Sequence, residues 1–178
     1  MSPAGMPPAV HDLHTARLVL RPLHAGDAPF ILRLLNDPSW LQYIGDRGVR
    51  SVEDAIRYIE TGPVFMYARY GLGLYHVRVA ADGQPVGVCG LLKRETLEDV
   101  DLGYALLPEF RGQGYAREAA AAVLSYGRQA LALTRIVAIV LRHNVPSRRL
   151  LEALGFVAEP PISLADDQGE LLLYASEP

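Results

Sequence analysis

The sequence predicts a single α/β (α+β) domain: a mixed, mostly antiparallel twisted sheet of about seven strands with flanking helices. Three observations carry this reading. Between Gly73 and Leu107, the apolar runs "LYHVRVA", "PVGVCGLL" and "VDLGYALL" are separated by the turn signals "ADGQP" and "RETLED", the pattern of an antiparallel meander. A helical pattern from Gly114 to Leu131 then leads into "RIVAIVL", an uninterrupted apolar run suited to a strand covered on both faces. The strand near 100, this helix and the strand near 135 make one βαβ unit, whose strands should be parallel with a right-handed crossover.

The other elements follow in order. The first fourteen residues hold three prolines and little periodicity, and read as a loose leader before a domain at 15–178. "RLVLRPL" alternates like a strand and stops at Pro22. "GDAPFILRLLND" reads as a helix, with Asp27 at the N-cap position and Ile31, Leu34 and Leu35 on one face. "DPSWLQYIGDRGVR" reads as a loop. "SVEDAIRYIE" opens with the capping-box pattern of Ser51 and Asp54, and continues as a helix with apolar residues at 52, 55, 56 and 59. After "RIVAIVL" come a short helix from Pro146 to Leu154 and two strands, "GFVAE" and "ELLLYA".

Composition narrows the function. The 178 residues suit one domain with a real core. A net charge of −3 gives no basic field for nucleic acid, so no nucleic-acid partner is expected. Cys89 is the single cysteine, in an apolar run, and reads as a small buried hydrophobe. No apolar stretch reaches the roughly 18 residues of a membrane helix, and the N-terminus lacks a signal-peptide pattern, so a cytoplasmic protein is expected, with no membrane partner. No metal ligand set is assigned. Monomer and homodimer are both compatible with the sequence.

The informative joint is "PEFRGQGYAREAA", between a strand and a helix. A helix N-terminus offers unpaired N–H groups and a positive dipole end, which suit a phosphate. Glycines at 112 and 114 let backbone approach a ligand closely, and Arg111 adds charge. A plain turn that uses glycine for geometry fits the same residues. The nucleoside-triphosphate loop is absent, and the third glycine of the dinucleotide fingerprint is missing.

The stretch does resemble the Gln/Arg-x-x-Gly-x-Gly/Ala signature of the GNAT superfamily of acetyl-CoA-dependent N-acetyltransferases, here Arg111, Gly114 and Ala116. "DLGYALLPEFRGQGYAREAA" is similar to the superfamily's cofactor-binding strand, loop and helix, and "HNVPSRRLLEALGF" to the helix that follows. "TARLVLRPL" is similar to the opening strand of the Rim-type ribosomal-protein N-terminal acetyltransferases. These matches lie in family order over most of residues 15–158.

The resemblance implies the GNAT fold, with the strands at 100 and 135 splaying apart to admit acetyl-CoA. It implies that the diphosphate of CoA lies on the backbone N–H groups of Arg111, Gly112, Gln113, Gly114, Tyr115 and Ala116. The pantetheine arm should pair with the backbone of Tyr104, Ala105, Leu106 and Leu107, and Asn144 and Ser147 should face the cofactor. Many relatives place a tyrosine acid seven residues after the asparagine, but that position is Leu151 here. Ser147, which matches the serine acid of Rim-type enzymes, is then the candidate acid, with a plain second-turn serine as the alternative. Asp101 matches an acidic position of the central strand and should orient the amine directly or through water; Glu98, Asp99 and His143 remain unranked beside it. The amine acceptor, a small molecule or a peptide, should enter over the N-terminal helices, where Trp40, Tyr43 and Arg47 are the candidate contacts beside Asp46 and Arg50, with core packing as the commoner role of a residue such as Trp40. Leu151 also keeps open an acyl-CoA-binding module without turnover.

Overall fold

The computed structural model describes residues 7–163 and 170–177. The first six residues of the expected leader and the stretch 164–169 lie outside them.

The strands are β1 (Leu13–His14), β2 (Leu18–Pro22), β3 (Leu74–Val79), β4 (Pro85–Leu92), β5 (Val100–Leu106), β6 (Ile136–Leu141), β7 (Val157–Ser163) and β8 (Glu170–Ser176). They form one sheet in the order β1-β2-β3-β4-β5-β6-β8-β7. The helices are α1 (Ala28–Leu35), α2 (Pro38–Tyr43), α3 (Val52–Ile59), α4 (Phe65–Tyr70), α5 (Tyr115–Gln129) and α6 (Val145–Ala153). The β5–β6 pair is parallel and, among the described residues, every other pairing is antiparallel, as the meander and the βαβ unit require.

The sheet separates two apolar layers. On one face α5 buries Ala119, Ala120, Val123 and Leu124 against residues such as Leu91, Leu102 and Ile136. On the other, Ile31, Leu35 and Ile59 of the N-terminal helices pack with Val88 and Leu107. Each fully buried aliphatic side chain contributes on the order of 2 kcal/mol. Both layers are needed because the central strands are apolar on both faces.

The structure departs from the sequence reading at four places. The sheet has an eighth strand, because Leu13–His14 pair with Leu20 and Val19 where a loose leader was expected. Two residues are too short to leave a periodic signal. The stretch read as a loop contains α2, which Asp37 caps by accepting the Ser39 N–H at 3.1 Å. A π turn (Glu60–Val64) and α4 follow α3 with no helix read there from sequence; Pro63, read locally, breaks a helix, and burial of its ring secures it here. Asp27, finally, stands at the N-cap position of α1 as read, but its side chain makes no cap hydrogen bond there.

Asp27 instead anchors a buried knot. Arg21 Nη1 and Nη2 reach its two carboxylate oxygens, the His24 N–H donates to Oδ2 at 3.0 Å, and His76 Nδ1 lies 3.1 Å from Oδ1. The same Nδ1 lies 3.2 Å from Arg21 Nη2, so this ring nitrogen stands between a carboxylate that accepts and a guanidinium that donates. Phe30 stacks on the ring with centroids 4.2 Å apart. Burial opposes ionisation of Asp27, yet the donors outweigh it and take the carboxyl down to about 2. Burial, helped by Arg21, takes His76 down to about 4 against the pull of Asp27.

The His76 value lies below its ordinary 6.5, so its share of stability is complete above about pH 6.5 and is lost as pH falls toward 4. Denaturant titrations from pH 7 to pH 4 should show stability dropping by roughly 2 to 3 kcal/mol. His76→Phe should flatten that slope, and an unchanged slope would assign the loss to other groups.

Candidate active site

β5 and β6 are paired only at Val100 with Ile136 and Asp101 with Val137. Beyond them each strand follows its antiparallel neighbour: β5 stays on β4 through Leu106 with Gly87, and β6 stays on β8 through Leu141 with Leu171. The strands therefore diverge around a cleft of about 770 Å³. Arg135 clamps the closed end, bonding Asp99 at 2.9 Å and Glu159 with both terminal nitrogens at 2.8 Å.

Divergence leaves one edge of β5 without a strand partner. Backbone groups of alternate residues point to opposite sides of a strand, and the Leu107 N–H donates to Val86 on β4 at 2.9 Å. By that alternation Ala105 and Leu107 turn their N–H and C=O groups to β4, whereas Leu102, Tyr104 and Leu106 turn theirs to the cleft. Of the four residues expected to pair with the pantetheine arm, only Tyr104 and Leu106 thus offer backbone, and the Leu106 carbonyl already accepts from Arg111 Nε at 3.0 Å. Sequence reasoning named the run but not its phase.

The glycine loop meets the same cleft. Gly112 has φ +72° and Gly114 φ +83°, left-handed values that side chains resist. A Cβ at Gly112 would meet nothing within 4 Å, so this backbone borders open space. α5 starts at Gly114 with no side-chain cap, which leaves its first N–H groups without a side-chain acceptor. Tyr115 and Ala116 line the cleft, and Gln113 is turned aside, its Nε2 on the Glu109 carbonyl. Arg111 is no free cation: Nη2 bonds Asp37 Oδ1 at 2.8 Å, tying the loop to the start of α2. Arg17, not singled out from sequence, braces the other side with Nε on Glu118 at 2.7 Å and Nη1 on the Gln113 carbonyl at 2.9 Å.

On the α6 side, Asn144 caps the helix, its Oδ1 accepting the Ser147 N–H at 3.3 Å. Ser147 Oγ shares a 2.7 Å hydrogen bond with the Tyr104 hydroxyl. Burial pushes that phenol up to about 12, against the Ser147 hydrogen bond, so it stays protonated and able to donate. The Tyr104 side chain was not foreseen, since only tertiary packing brings β5 onto α6.

Asp101 lies on the opposite face of β5 with Ala105, which packs against the N-terminal helices. It is 1% exposed, and both its oxygens lie 3.1 Å from Arg94 Nε. Burial raises its carboxyl above the ordinary value while Arg94 opposes. Trp40, Tyr43 and Arg47 all line this end of the cleft. Trp40 is 5% exposed and packs in the N-terminal core, its Nε1 buried without a hydrogen-bond partner. Tyr43 lies against His143, ring centroids 5.5 Å apart. The Glu98 carbonyl accepts from Lys93 Nζ, and Asp99 is held by Arg135.

A twisted sheet opened between two parallel strands, with an uncapped helix start and a hydroxyl on facing walls, defines an acyltransferase architecture. The acetyltransferase (GNAT) domain family matches residues 17–157. The chain is similar to the uncharacterized N-acetyltransferase YoaA of Bacillus subtilis, 31% identical over 148 residues covering 83% of each protein. Its fold superposes on an acetyltransferase from Agrobacterium tumefaciens with a TM-score of 0.81 at 23% identity, covering 99% of this chain and 100% of that one. It also superposes on RimL, a ribosomal L7/L12 alpha-N-protein acetyltransferase in complex with coenzyme A, with a TM-score of 0.77 at 19% identity, covering 97% and 98%. The chain belongs to the GNAT acetyltransferase family, and it is an N-acetyltransferase.

Removing the ion-pair partner of a buried carboxylate costs about 3 kcal/mol or more. Arg94→Ala should therefore lower stability at neutral pH by about that amount, with part regained on acidification, because protonation abolishes the unpaired charge. Titration of the Asp101 carboxyl by NMR should show it rising further in the variant. A value at or below that of the parent would show that Arg94 does not balance it.

Proposed function

We propose that this protein transfers an acetyl group from acetyl-CoA to a primary amine, on a peptide N-terminus or a small molecule, by direct attack of the amine. The observation that carries this reading is the single cleft bounded by the open edge of β5, the uncapped start of α5 and Ser147, with Asp101 on the far face. The residues present fit the cofactor: backbone N–H groups and glycines where a diphosphate needs them, and a free strand edge for an amide-bearing arm. A neighbour of the same fold that holds coenzyme A supports the assignment.

Acetyl-CoA supplies the acyl group as an activated thioester. In the proposed step the C–N bond forms as the C–S bond breaks. The N–H groups from Gly112 to Ala116 bind the diphosphate. The cleft-facing N–H groups of Tyr104 and Leu106 hold the arm and the thioester oxygen. Asp101, whose raised carboxyl is a better base than a free one, orients the amine and takes its proton directly or through water. Ser147 gives its hydroxyl proton to the departing sulfur, and the Tyr104 hydroxyl, 2.7 Å away, fixes that hydroxyl and refills it.

Thiol release from acetyl-CoA over a panel of amines and peptides tests the activity. CoA binding without transfer to any member would overturn it in favour of a binding module. Ser147→Ala should lower kcat by about a hundredfold with little change in the CoA dissociation constant, and raising the pH should partly rescue it. An unchanged kcat where chemistry limits the rate would remove Ser147 from the step. Gly114→Glu should abolish CoA binding, at a folding cost of about 1 to 2 kcal/mol from the left-handed backbone; unchanged affinity by calorimetry would move the diphosphate elsewhere.

A further inference from the structure

Two aspartates and four arginines line the cleft, and the aspartates are already paired. Asp37 is neutralised by Arg111 and Asp101 by Arg94. Of the other two cations, Arg117 stands on the first turn of α5, at the end assigned to the diphosphate. Arg47 stands at the opposite end, beyond α2, exposed and, among the described residues, in no ion pair. Arg94 meets Asp101 through Nε alone, so its two terminal nitrogens carry no partner among the described residues, and its side chain is 32% exposed. Arg47, Arg94 and the half-buried Tyr58 line the same cleft, and both guanidiniums act on that phenol, whose titration burial raises and they oppose.

An amine reaching this mouth arrives protonated, and two guanidiniums repel it unless it brings an anion of its own. Guanidinium nitrogens of this kind pair with carboxylates in two-point geometry. The same positive surroundings then favour loss of the ammonium proton, which the reaction needs.

We propose that the acceptor is a small amino-carboxylate, such as an amino acid, whose carboxylate is held by Arg47 and the free terminal nitrogens of Arg94 while its amine faces Asp101. This inference rests on the acetyltransfer reading and names the acceptor class for the same site. Asp101 stays neutralised through Nε of Arg94 while the outer nitrogens of that guanidinium serve the ligand.

The test compares L-leucine with L-leucinamide and L-glutamate with a neutral dipeptide amide, as acceptors in thiol release and as ligands of the CoA-loaded protein in calorimetry. The carboxylate members should show KM and dissociation constants lower by roughly ten- to a hundredfold. Arg47→Gln should raise them to the values of the amides while leaving CoA affinity unaltered. Equal constants within each pair, a preference that survives Arg47→Gln, or a preference for the dipeptide amide would each overturn the proposal. Calorimetric contrast without thiol release would uphold this binding assignment and overturn the transfer reading instead, so the two fail separately.

Discussion

Two backbone pairings, Val100 with Ile136 and Asp101 with Val137, join the two halves of the sheet among the described residues, and the site depends on their ending there. Each strand leaves the other because its antiparallel neighbour holds it more completely: six pairs bind β5 to β4, and six bind β6 to β8. Arg135 secures the closed end through Asp99 and Glu159, so the strands diverge from a fixed apex. The exposed backbone of β5 would be costly in a sealed core. A cleft that admits a ligand with amide groups turns that cost into a binding edge.

Around this opening, arginines organise charge. Arg94 balances Asp101 inside the cleft, Arg111 ties the glycine loop to Asp37, and Arg17, just before β2, reaches the start of α5 through Glu118 and the Gln113 carbonyl. The last two pairs, whose arginines are half-exposed, contribute little to stability, about 0 to 1 kcal/mol. Their effect is geometric, since a planar guanidinium that reaches a carboxylate and a carbonyl together fixes a loop that glycine alone would leave loose. Composition showed only that arginine replaces lysine almost throughout.

The two walls divide the chemistry by strand alternation. Tyr104 turns to α6 and meets Ser147, whereas Asp101, three residues earlier, turns to the N-terminal helices. One strand thus places the paired hydroxyls of Tyr104 and Ser147 and a buried carboxylate on opposite faces of the same opening. The buried knot of Arg21, Asp27 and His76 plays no part in the cleft, and it holds β2, β3 and the start of α1 in place so that the helix layer above Asp101 is fixed.

Local rules were enough for the elements with regular signals. The meander, the βαβ unit, the capping box of Ser51 and Asp54 and the uncapped glycine start of α5 are short-range patterns, and the structure contains each of them. The order of Arg111, Gly114, Ala116, Asn144 and Ser147 carried the family resemblance before any fold was seen. Long-range contacts decided the rest. Asp27 reads as a helix cap from its neighbours, and becomes a buried ion-pair partner only because β2 and β3 bring Arg21 and His76 to it. Pro63 reads as a breaker until packing secures the turn around it. The register that directs Tyr104 and Leu106 rather than Ala105 and Leu107 to the cleft, the hydrogen bond from Tyr104 to Ser147, and the hold of Arg94 on Asp101 all join separate elements. Sequence determined the strands and helices with regular signals and the glycine joint before α5, because those depend on neighbours in the chain; tertiary structure decided which backbone edge stays open and which side chains meet across it, because those depend on where two strands stop pairing.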